Sequence, residues 1–327
     1  METTGEPTRP IVGSGAEGLE DLDGIVTFSN LDKVRYPGTG FTKGDVIRYY
    51  VAIAPVMLPH LSGRPLTLRR YPNGVDDKSF FEKRCPTHAP AWVKRVSWQP
   101  SKKDEPILAC DARDTRTLAW LGNMAAIELH PSLALAKSPD KPTVMVFDLD
   151  PGAPAAVTEC ATVALWLREK LEGMDLQSVP KTSGSKGLQI YVPLNSAVDF
   201  DTTKTLSHAL ALMLESEHPD LVVSRMSTQL RKGKVFIDWS QNDRAKTTVA
   251  VYSLRARERP TVSTPLLWEE VESVAGGANP EMLVIDAPAA VARVGRHGDL
   301  FEPVESMRQR VPAAVKRALE GVVERET

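Results

Sequence analysis

Two aspartates directly follow an unbroken apolar run, and this feature limits the possible folds more than any other in the 327-residue sequence. The run Val144-Met145-Val146-Phe147 leads into Asp148-Leu149-Asp150, and Pro151-Gly152 ends it. Because residues i and i+2 of a strand project from the same face, the two carboxylates would point together while Leu149 turns into the core. Adjacent like charges are costly unless a cation neutralises them, and Mg²⁺ or Mn²⁺ suits oxygen ligands. A solvated strand end with turn-forming aspartates is the alternative.

A third aspartate lies in another apolar segment, where Asp238 is flanked by Ile237 and Trp239. A buried aspartate is rare unless it is paired or liganded, although a helix cap or a salt bridge would also satisfy it. Three strand-borne carboxylates would form a site for two divalent ions, suited to activating a hydroxyl and stabilising a leaving pyrophosphate. The sequence therefore indicates phosphoryl transfer, with Asp148, Asp150 and Asp238 as catalytic residues and metal ligands.

The segment from Thr182 to Gly187 reads Thr-Ser-Gly-Ser-Lys-Gly and is rich in hydrogen-bond donors. Successive N–H groups in such a turn can bind an anion, and Lys186 adds a positive charge. The glycine spacing is not that of a Walker A loop, and a strand follows instead of a helix. By itself the segment is an ordinary hairpin turn, but beside three candidate metal ligands it indicates a triphosphate site.

Hydrophobic periodicity predicts a mixture of strands and helices without a regular βαβ repeat, which favours an α+β fold. One helix should begin after Thr42, which can cap it together with Asp45, and Pro55 should weaken its last turn. A second helix should carry Pro154 in its first turn, and a third should follow Asp201. The predicted strands cover residues 66–71, 144–147, 187–194 and 235–239, with 247–252 paired to the last.

Charge is distributed unevenly, although the formal net charge is only −2. Residues 1–30 hold six acids and one base, which leaves 39 bases and 36 acids in the remaining body. The bases of that body cluster in short runs: Arg69–Arg70, Lys83–Arg84, Lys94–Arg95, Lys102–Lys103, Arg231–Lys232–Lys234 and Arg255–Arg257–Arg259. Solvated surface faces would explain any one run, whereas together they are compatible with a basic groove for nucleic acid.

The three cysteines, Cys85, Cys110 and Cys160, show no metal-type spacing and are odd in number. They predict a reduced cytosolic protein without a disulfide framework or zinc ribbon. No apolar run is long enough for a transmembrane helix, and residues 1–24 lack the apolar segment of a secretory signal.

Taken as a set, these motifs resemble the stand-alone polymerase domain of bacterial ligase D (LigD), in the archaeo-eukaryotic primase superfamily. The resemblance covers about residues 25–310. The segments that carry it are Asn30–Pro37, Phe147–Gly152, Thr182–Leu194, Phe236–Trp239 and Tyr252–Arg257. It implies a primase-type α+β fold with mixed and antiparallel sheets flanked by helices. Residues 1–24 would then be a flexible acidic tail, and 311–327 a C-terminal helix packed on the same domain.

The resemblance also implies a function, that of a template-directed DNA-repair polymerase. Such a nucleotidyltransferase fills short gaps and extends ends during double-strand-break repair, uses two Mn²⁺ or Mg²⁺ ions and often favours ribonucleotides. Its implied partners are gapped or broken DNA with a 5′-phosphate, NTP or dNTP, a Ku-like protein and a separate DNA ligase. The implied location is the cytoplasm, at the nucleoid, with no membrane. No ligase or nuclease signature occurs in the sequence, so we expect neither activity in this chain.

Residue by residue, the resemblance assigns further roles. Nucleotide-binding positions are His130, Ser183, Lys186, Gln189 and Arg255, and DNA-binding positions are Lys33, Lys43, Arg70, Phe80 and Phe81. Lys33 and Lys43 match lysines that hold a downstream 5′-phosphate, and the two phenylalanines match a template-contacting position. From residue type alone, a lone histidine in an apolar stretch such as His130 is more often a core residue, and Phe80 and Phe81 could equally be a buried pair.

Two positions depart from the family pattern. Gln189 stands where many members carry His, and Gln241 stands where many carry Arg. Both changes remove actual or potential positive charge near the expected triphosphate, because a glutamine can donate a hydrogen bond but cannot be charged.

Two other classes of function remain open. A nucleotide-sugar glycosyltransferase also uses an Asp-x-Asp metal site, but it does not explain Asp238 or the turn at 183–186. A non-catalytic DNA-end-binding module would keep the fold without turnover. Primer extension with labelled nucleotide would distinguish all three classes.

Overall fold

The computed structural model describes residues 18–101 and 103–312. The prediction of a C-terminal helix over 311–327 falls almost wholly outside these residues, as does most of the predicted tail over 1–24. None of the helices within the two described ranges combines the length and apolarity needed to cross a bilayer.

Seven α-helices are present in the described part of the chain. They are α1 (Lys43–Leu61), α2 (Thr115–Asn123), α3 (Val157–Glu172), α4 (Phe200–Glu217), α5 (Trp268–Ala275), α6 (Ala287–His297) and α7 (Pro303–Ser306). Short 3-10 helices lie at Glu20–Leu22, Thr228–Arg231, Trp239–Gln241 and Pro280–Leu283.

Twelve strands form three sheets in the same part of the chain. A small sheet pairs β1 (Val34–Tyr36) with β2 (Phe41–Thr42). The second sheet contains β3 (Leu66–Arg70), β4 (Phe80–Glu82), β5 (Lys94–Trp98), β6 (Ile107–Asp111) and β7 (Ala126–Pro131). The third contains β8 (Val144–Pro151), β9 (Val179–Thr182), β10 (Leu188–Pro193), β11 (Val222–Val223) and β12 (Val235–Asp238), in the order β11-β12-β8-β10-β9.

The two large sheets share one hydrophobic core, and this confirms the predicted mixed α+β architecture. All strand pairs in the third sheet are antiparallel except the short parallel pair β11–β12. Helices α3 and α4 pack against β8. The buried sides of these elements hold the sheet rigidly, and a rigid sheet can place polar side chains accurately on its other face.

Helix α1 confirms the predicted cap and corrects the predicted end. The Thr42 hydroxyl accepts a hydrogen bond from the Asp45 N–H, and the Asp45 carboxylate accepts one from the Thr42 N–H. The helix continues through Pro55 and Pro59 to Leu61. Its buried face, which includes Tyr49, Tyr50, Ile53 and Met57, packs into the core and outweighs the missing proline N–H groups.

Two other helix starts were predicted wrongly. Helix α3 begins at Val157, and Pro154 lies before it, because the Glu159 carboxylate caps the N–H of Ala156. Helix α4 begins at Phe200 because the carboxylate of Asp199, not that of Asp201, accepts from the Thr202 N–H. In both cases the side chain that closes the first turn decides the boundary.

The segment 247–252 does not pair with β12, contrary to the prediction. Thr248 and Ala250 instead donate backbone hydrogen bonds to Pro131 and Leu129 of β7. Strand β12 lies between β8 and β11 and therefore has no free edge for this segment. Because 247–252 follows β12 in the sequence, a hairpin between the two was expected, but the segment pairs with β7 of the second sheet.

The expectation of no disulfide is also wrong. Cys85 and Cys110 form a disulfide bond, with Cα atoms 4.7 Å apart and a sequence separation of 25. The Cys85 N–H donates to the carbonyl of Leu108, which brings the segment after β4 alongside β6. Cys160 remains a buried free thiol. Only the tertiary pairing of these segments places Cys85 beside Cys110.

Gly187 lies where no larger residue fits. A Cβ atom built there would stand 2.0 Å from the carbonyl oxygen of Leu149, a backbone atom that cannot rotate away. We expect Gly187→Ala to lower the free energy of unfolding by about 3 kcal/mol or more, because β10 must move away from β8. Urea denaturation measures the loss. Gly295→Ala, where a Cβ meets no atom within 4 Å, is the control and should be nearly neutral; equal effects at the two positions would contradict the steric account.

Candidate active site

A row of polar residues crosses four strands of the third sheet at one register level. Lys181 of β9 faces Gln189 of β10, Gln189 faces Asp148 of β8, and Asp148 faces Asp238 of β12. Residues directly opposite each other on neighbouring strands project from the same face. The sheet therefore brings four distant positions of the sequence into one line, and Asp150 lies two residues beyond Asp148 on the same face.

Asp148 and Asp150 point the same way, as the sequence predicts, while Leu149 is fully buried in the core. Oδ1 of Asp148 is shielded from solvent and has no hydrogen-bond partner among the residues that the structure describes. Burial and the neighbouring charges of Asp150 and Asp238 raise the pKa of Asp148, whereas a hydrogen bond from Gln189 acts in the opposite direction. Burial and Asp238 likewise raise the pKa of Asp150. Two carboxylates held this way are unfavourable without a cation.

Asp238 is buried at the end of β12 and its carboxylate is already well occupied. Oδ1 accepts hydrogen bonds from the N–H and hydroxyl of Ser240, and Oδ2 accepts one from Nε2 of Gln241. Because a carboxylate offers about four lone-pair positions, roughly one remains. The capping role that the sequence left open for Asp238 is thus observed. Gln241, one of the two family departures, binds this aspartate directly.

The donor set fits a divalent cation only in part. Within residues 18–101 and 103–312, no three His, Cys, Asp or Glu side chains are arranged so as to hold a metal ion. The orphaned Oδ1 of Asp148, beside the carboxylate of Asp150, is nevertheless the kind of hard oxygen donor that Mg²⁺ and Mn²⁺ prefer. Asp148 and Asp150 thus fit such an ion, and Asp238 could add its remaining lone pair.

A cavity of about 750 Å³ opens over the two aspartates. Side chains of the predicted nucleotide site line it, namely His130, Ser183, Lys186, Gln189 and Arg255. Six cationic residues contribute to its wall: Lys83, Lys186, Arg231, Lys246, Arg255 and Arg257. A cavity with two carboxylates at one place and six cations around them suits a polyanionic ligand that brings its own divalent ion.

The turn at 183–187 closes the hairpin of β9 and β10 and adopts a compact form. The Ser183 hydroxyl accepts hydrogen bonds from the N–H groups of Ser185 and Gly187. These two donors therefore point inward, and the anion nest expected from the sequence is smaller than predicted. Lys186 is exposed at the turn and also lines the cavity, so its side chain is the main anion-binding group that the turn offers.

Glu128 is the centre of a buried network that sequence reasoning missed. Its carboxylate lies 3.1 Å from Nε2 of His130 and 3.3 Å from Nε of Arg255, and it accepts a hydrogen bond from the N–H of Ala256. Burial opposes the charged form, but the hydrogen bond and charge of His130 and the charge of Arg255 outweigh it, so the pKa of Glu128 is strongly lowered. The only signal in the sequence was an acid two residues before His130 in an apolar strand.

Arg255 connects this network to the turn at 183–187. Its guanidinium donates to the backbone carbonyl of Ser183 and also pairs with Glu128. For His130, burial is the largest influence and lowers the pKa, and Glu128 only partly opposes it. The histidine is held beside Glu128 at the cavity wall and is not a core residue.

Phe80 and Phe81 are 44% and 60% exposed, respectively, so they do not form a buried pair. The Arg70 guanidinium lies 5.2 Å from the Phe80 ring centre, and Phe81 meets His130 edge-on at 5.9 Å. Arg70 also pairs with Glu82 and donates to the carbonyl of Met124. Two exposed rings backed by arginines provide a surface on which bases can stack.

The two lysines predicted to hold a 5′-phosphate lie near each other, since the Lys43 N–H donates to the carbonyl of Lys33 and the charges of Lys33 and Arg35 both act on Lys43. Lys33 donates to Pro72 and Asn73, whereas Lys43 is buried and donates to the carbonyl of Ser29. Burial, followed by the charges of Arg35 and Lys33, lowers the pKa of Lys43 to about 8.

Arg35 was not recognised in the sequence, although it lies in the same motif. Burial lowers the pKa of Arg35, and its Nε has no hydrogen-bond partner in the described ranges. Three cations that repel one another form a ready-made site for an anion.

Comparison with known proteins identifies the family of this chain. The family model described as "LigD, primase-polymerase domain" matches residues 42–301. The chain belongs to the LigD primase-polymerase domain family. A LigD of Mycolicibacterium smegmatis, named a multifunctional non-homologous end joining protein, is 41% identical over 286 residues, which cover 86% of this chain and 36% of that protein. A bifunctional non-homologous end joining LigD of Bacillus subtilis is 32% identical over 275 residues, which cover 84% of this chain and 43% of that protein.

A solved structure shows that this chain has the fold of a LigD polymerase domain. The polymerase domain of Mycobacterium tuberculosis ligase D, determined in complex with DNA, superimposes with a TM-score of 0.79 at 39% identity and covers 87% of this chain and 99% of that one. The predicted primase-type α+β fold is thereby confirmed. The chain spans little more than a third of the mycobacterial LigD proteins that it matches. The match leaves the glycosyltransferase alternative without support.

Proposed function

We propose that this LigD-family domain is a template-directed nucleotidyltransferase that fills short gaps and extends ends in DNA repair. The observation that carries the proposal is the cavity whose lining combines the carboxylates of Asp148 and Asp150 with six cationic residues. A nucleoside triphosphate with its divalent ion matches both charges at once. The relatives named for end joining, and the related domain solved with DNA, support a repair substrate.

Asp148 and Asp150, with Asp238 as the third ligand, would hold two Mn²⁺ or Mg²⁺ ions. Ions bound there would supply Lewis-acid stabilisation of the phosphoryl oxygens. Lys186 and Arg255 bind the triphosphate and neutralise part of its negative charge. Glu128 pairs with Arg255 and keeps its guanidinium directed at the turn at 183–187. His130 contributes a hydrogen-bonding group at the cavity wall.

The DNA would extend from the cavity along the second sheet. Phe80 and Phe81 stack on template bases, and Arg70 supports them from the same sheet. Lys33, Lys43 and Arg35 receive the 5′-phosphate of the downstream strand. The body carries a small positive excess, which suits contacts to the DNA backbone.

Ribonucleotide preference and partners belong to the proposal as well. We place the activity at broken DNA in the bacterial nucleoid, with a Ku-like protein to hold the ends and a separate ligase to seal the product. The LigD names of the relatives support an end-joining setting for the domain.

The decisive experiment is extension of a primer across a short gap with a downstream 5′-phosphate, using Mn²⁺ and Mg²⁺ in parallel with NTP and dNTP. We expect templated addition that requires metal, with faster addition of ribonucleotides. DNA binding without incorporation under all four conditions would instead identify a non-catalytic end-binding module.

Loss of Lys33 should affect only DNA that carries a 5′-phosphate. We expect Lys33→Ala to weaken binding to a 5′-phosphorylated gap by about tenfold, since a charge-assisted contact is lost. Binding to the same gap with a 5′-hydroxyl should change little. Fluorescence anisotropy with both duplexes measures the difference, and equal losses on the two would contradict a phosphate pocket.

The preference for a 5′-phosphate should also depend on pH. In the protein without DNA, the pKa of Lys43 is lowered to about 8. Its charge is therefore present at pH 7 and is lost as the pH rises through 8. We expect the affinity ratio of phosphorylated to hydroxyl-ended DNA to fall between pH 7 and 9. Lys43→Arg, which stays charged over this range, should flatten the profile; an unchanged slope in that variant would show that another group titrates.

A further inference from the structure

Lys181 is a fully buried cation that no part of the proposed function uses. It occupies the end of the polar row, two strands away from Asp148, and has no exposed surface. A buried lysine is expensive unless every proton of its ammonium group is bound. Its location behind the cavity wall, rather than in it, indicates a role that acts through a neighbour.

The hydrogen bonds of Lys181 account for all three ammonium protons. Nζ lies 2.6 Å from Oε1 of Gln189, 3.2 Å from the carbonyl of Val249 and 2.5 Å from the hydroxyl of Ser263. The Ser263 hydroxyl gives its own proton to the carbonyl of Thr182, so it can only accept from the lysine. Three acceptors around one nitrogen match the three protons of the –NH₃⁺ form and oppose the effect of burial, which lowers the pKa of Lys181.

This arrangement fixes the orientation of the Gln189 amide. A lysine ammonium can only donate, so the Gln189 atom that faces it must be the oxygen. Nε2 then faces away from Lys181, on the side of Asp148, which lies directly opposite Gln189 on β8, and one of its N–H groups can serve that carboxylate. Nε2 carries two N–H groups, and Gln189 lines the cavity. The second N–H can therefore serve an anionic ligand there.

We propose that Lys181 is a positioning residue, which holds the Gln189 amide with Nε2 towards Asp148 and the cavity so that it can donate to a phosphate group of the nucleotide. The inference rests on the proposed function, because it assumes a phosphate-bearing ligand in the cavity. Without the ammonium group, the amide could rotate and present its oxygen to the carboxylate and the phosphate, which would be repulsive. Gln189 cannot carry a charge, so Lys181 instead ensures that its amide presents a hydrogen-bond donor to the phosphate group.

Binding of ATP with Mg²⁺ in the absence of DNA, measured by calorimetry on the full chain, tests the inference without turnover. We expect Lys181→Met to weaken binding by about tenfold, the size of one hydrogen bond to a charged group. Gln189→Leu should weaken it similarly, and the double variant should match Gln189→Leu alone, because Lys181 acts through Gln189.

Tyr191→Phe is the matched control. Tyr191 lies on β10, two residues from Gln189, is buried and shares a hydrogen bond with Thr248, and the variant should bind ATP as the wild type does. Unchanged binding by Lys181→Met, or additive losses in the double variant, would overturn the inference while leaving the proposed function intact. Failure of the wild type to bind ATP would overturn both.

A second measurement does not depend on how Lys181→Met folds. The Nε2 proton resonances of Gln189 can be identified in the wild-type protein by their loss in Gln189→Leu. We expect them to shift when ATP and Mg²⁺ are added, because an N–H of this group binds the ligand. ATP binding without any shift of these resonances would show that Gln189, and therefore Lys181, does not position a donor for the nucleotide.

Discussion

Asp148→Ala is expected to reduce primer extension by about 10³-fold or more, the scale of losing an essential electrostatic group at the reacting phosphate. One carboxylate oxygen of Asp148 is buried and has no hydrogen-bond partner among the residues at 18–101 and 103–312, and Asp148 lies between Gln189 and Asp238 in the polar row. Its removal takes away the hard donor that best fits a divalent ion. Gel-based extension in Mn²⁺ measures the loss.

DNA affinity and stability separate this effect from unfolding. The contacts proposed for DNA lie on the second sheet and near Lys33, so binding of gapped DNA should change by no more than about twofold. Since the pKa of Asp148 is raised by burial and like charges, its ionised form destabilises the fold, and the alanine variant should be at least as stable as the wild type. Asp220→Asn, at an exposed acid outside the cavity lining, is the matched control. Wild-type extension by Asp148→Ala would refute the assignment.

Glu128→Ala is expected to cost about 3–5 kcal/mol of unfolding free energy, because a buried network loses its central anion. His130 and Arg255 would then be left without their shared partner. Arg255 would also lose its fixed direction towards Ser183, so the affinity for nucleotide should fall with stability. Urea denaturation at pH 7 and ATP binding measure the two effects.

The pH dependence gives an independent check on Glu128. Its folded-state pKa is lowered, so its contribution is fully present above the unfolded value of about 4.3 and is lost as the pH falls through the folded value. The stability gap between the wild type and Glu128→Gln should therefore be widest near neutral pH and should narrow in acid below about pH 4. Glu172→Gln, which breaks an exposed pair with Arg168, should cost less than about 1 kcal/mol. A gap of constant size across this pH range would rule out the charge as the cause.

The local sequence was sufficient wherever a short-range rule decides the structure. The cap of α1 by Thr42 and Asp45 follows from a spacing of three residues. The common direction of Asp148 and Asp150 follows from the period of a strand, and the turn at 183–187 follows from its glycines and serines. The family itself was recognisable because several such motifs occur in a fixed order.

Helix starts were harder to predict than helices, because neighbouring residues compete to cap the first turn. Asp199 and Asp201 are both plausible caps for α4, and the outcome depends on which carboxylate reaches an N–H three residues ahead. The wrong partner for 247–252 has a longer-range cause. An edge of β12 was assumed to be free, but β11 occupies it.

The acidic strand end and the Ser/Gly turn at 183–187 could be predicted from a few consecutive residues each. The joining of His130 to Arg255 by Glu128, the pairing of Cys85 with Cys110, and the row of Lys181, Gln189, Asp148 and Asp238 could not, because they bring together distant parts of the chain. The physical reason is that strand register and sheet order depend on the packing of the whole core, and a shift of one residue in any strand would turn these side chains to the opposite face.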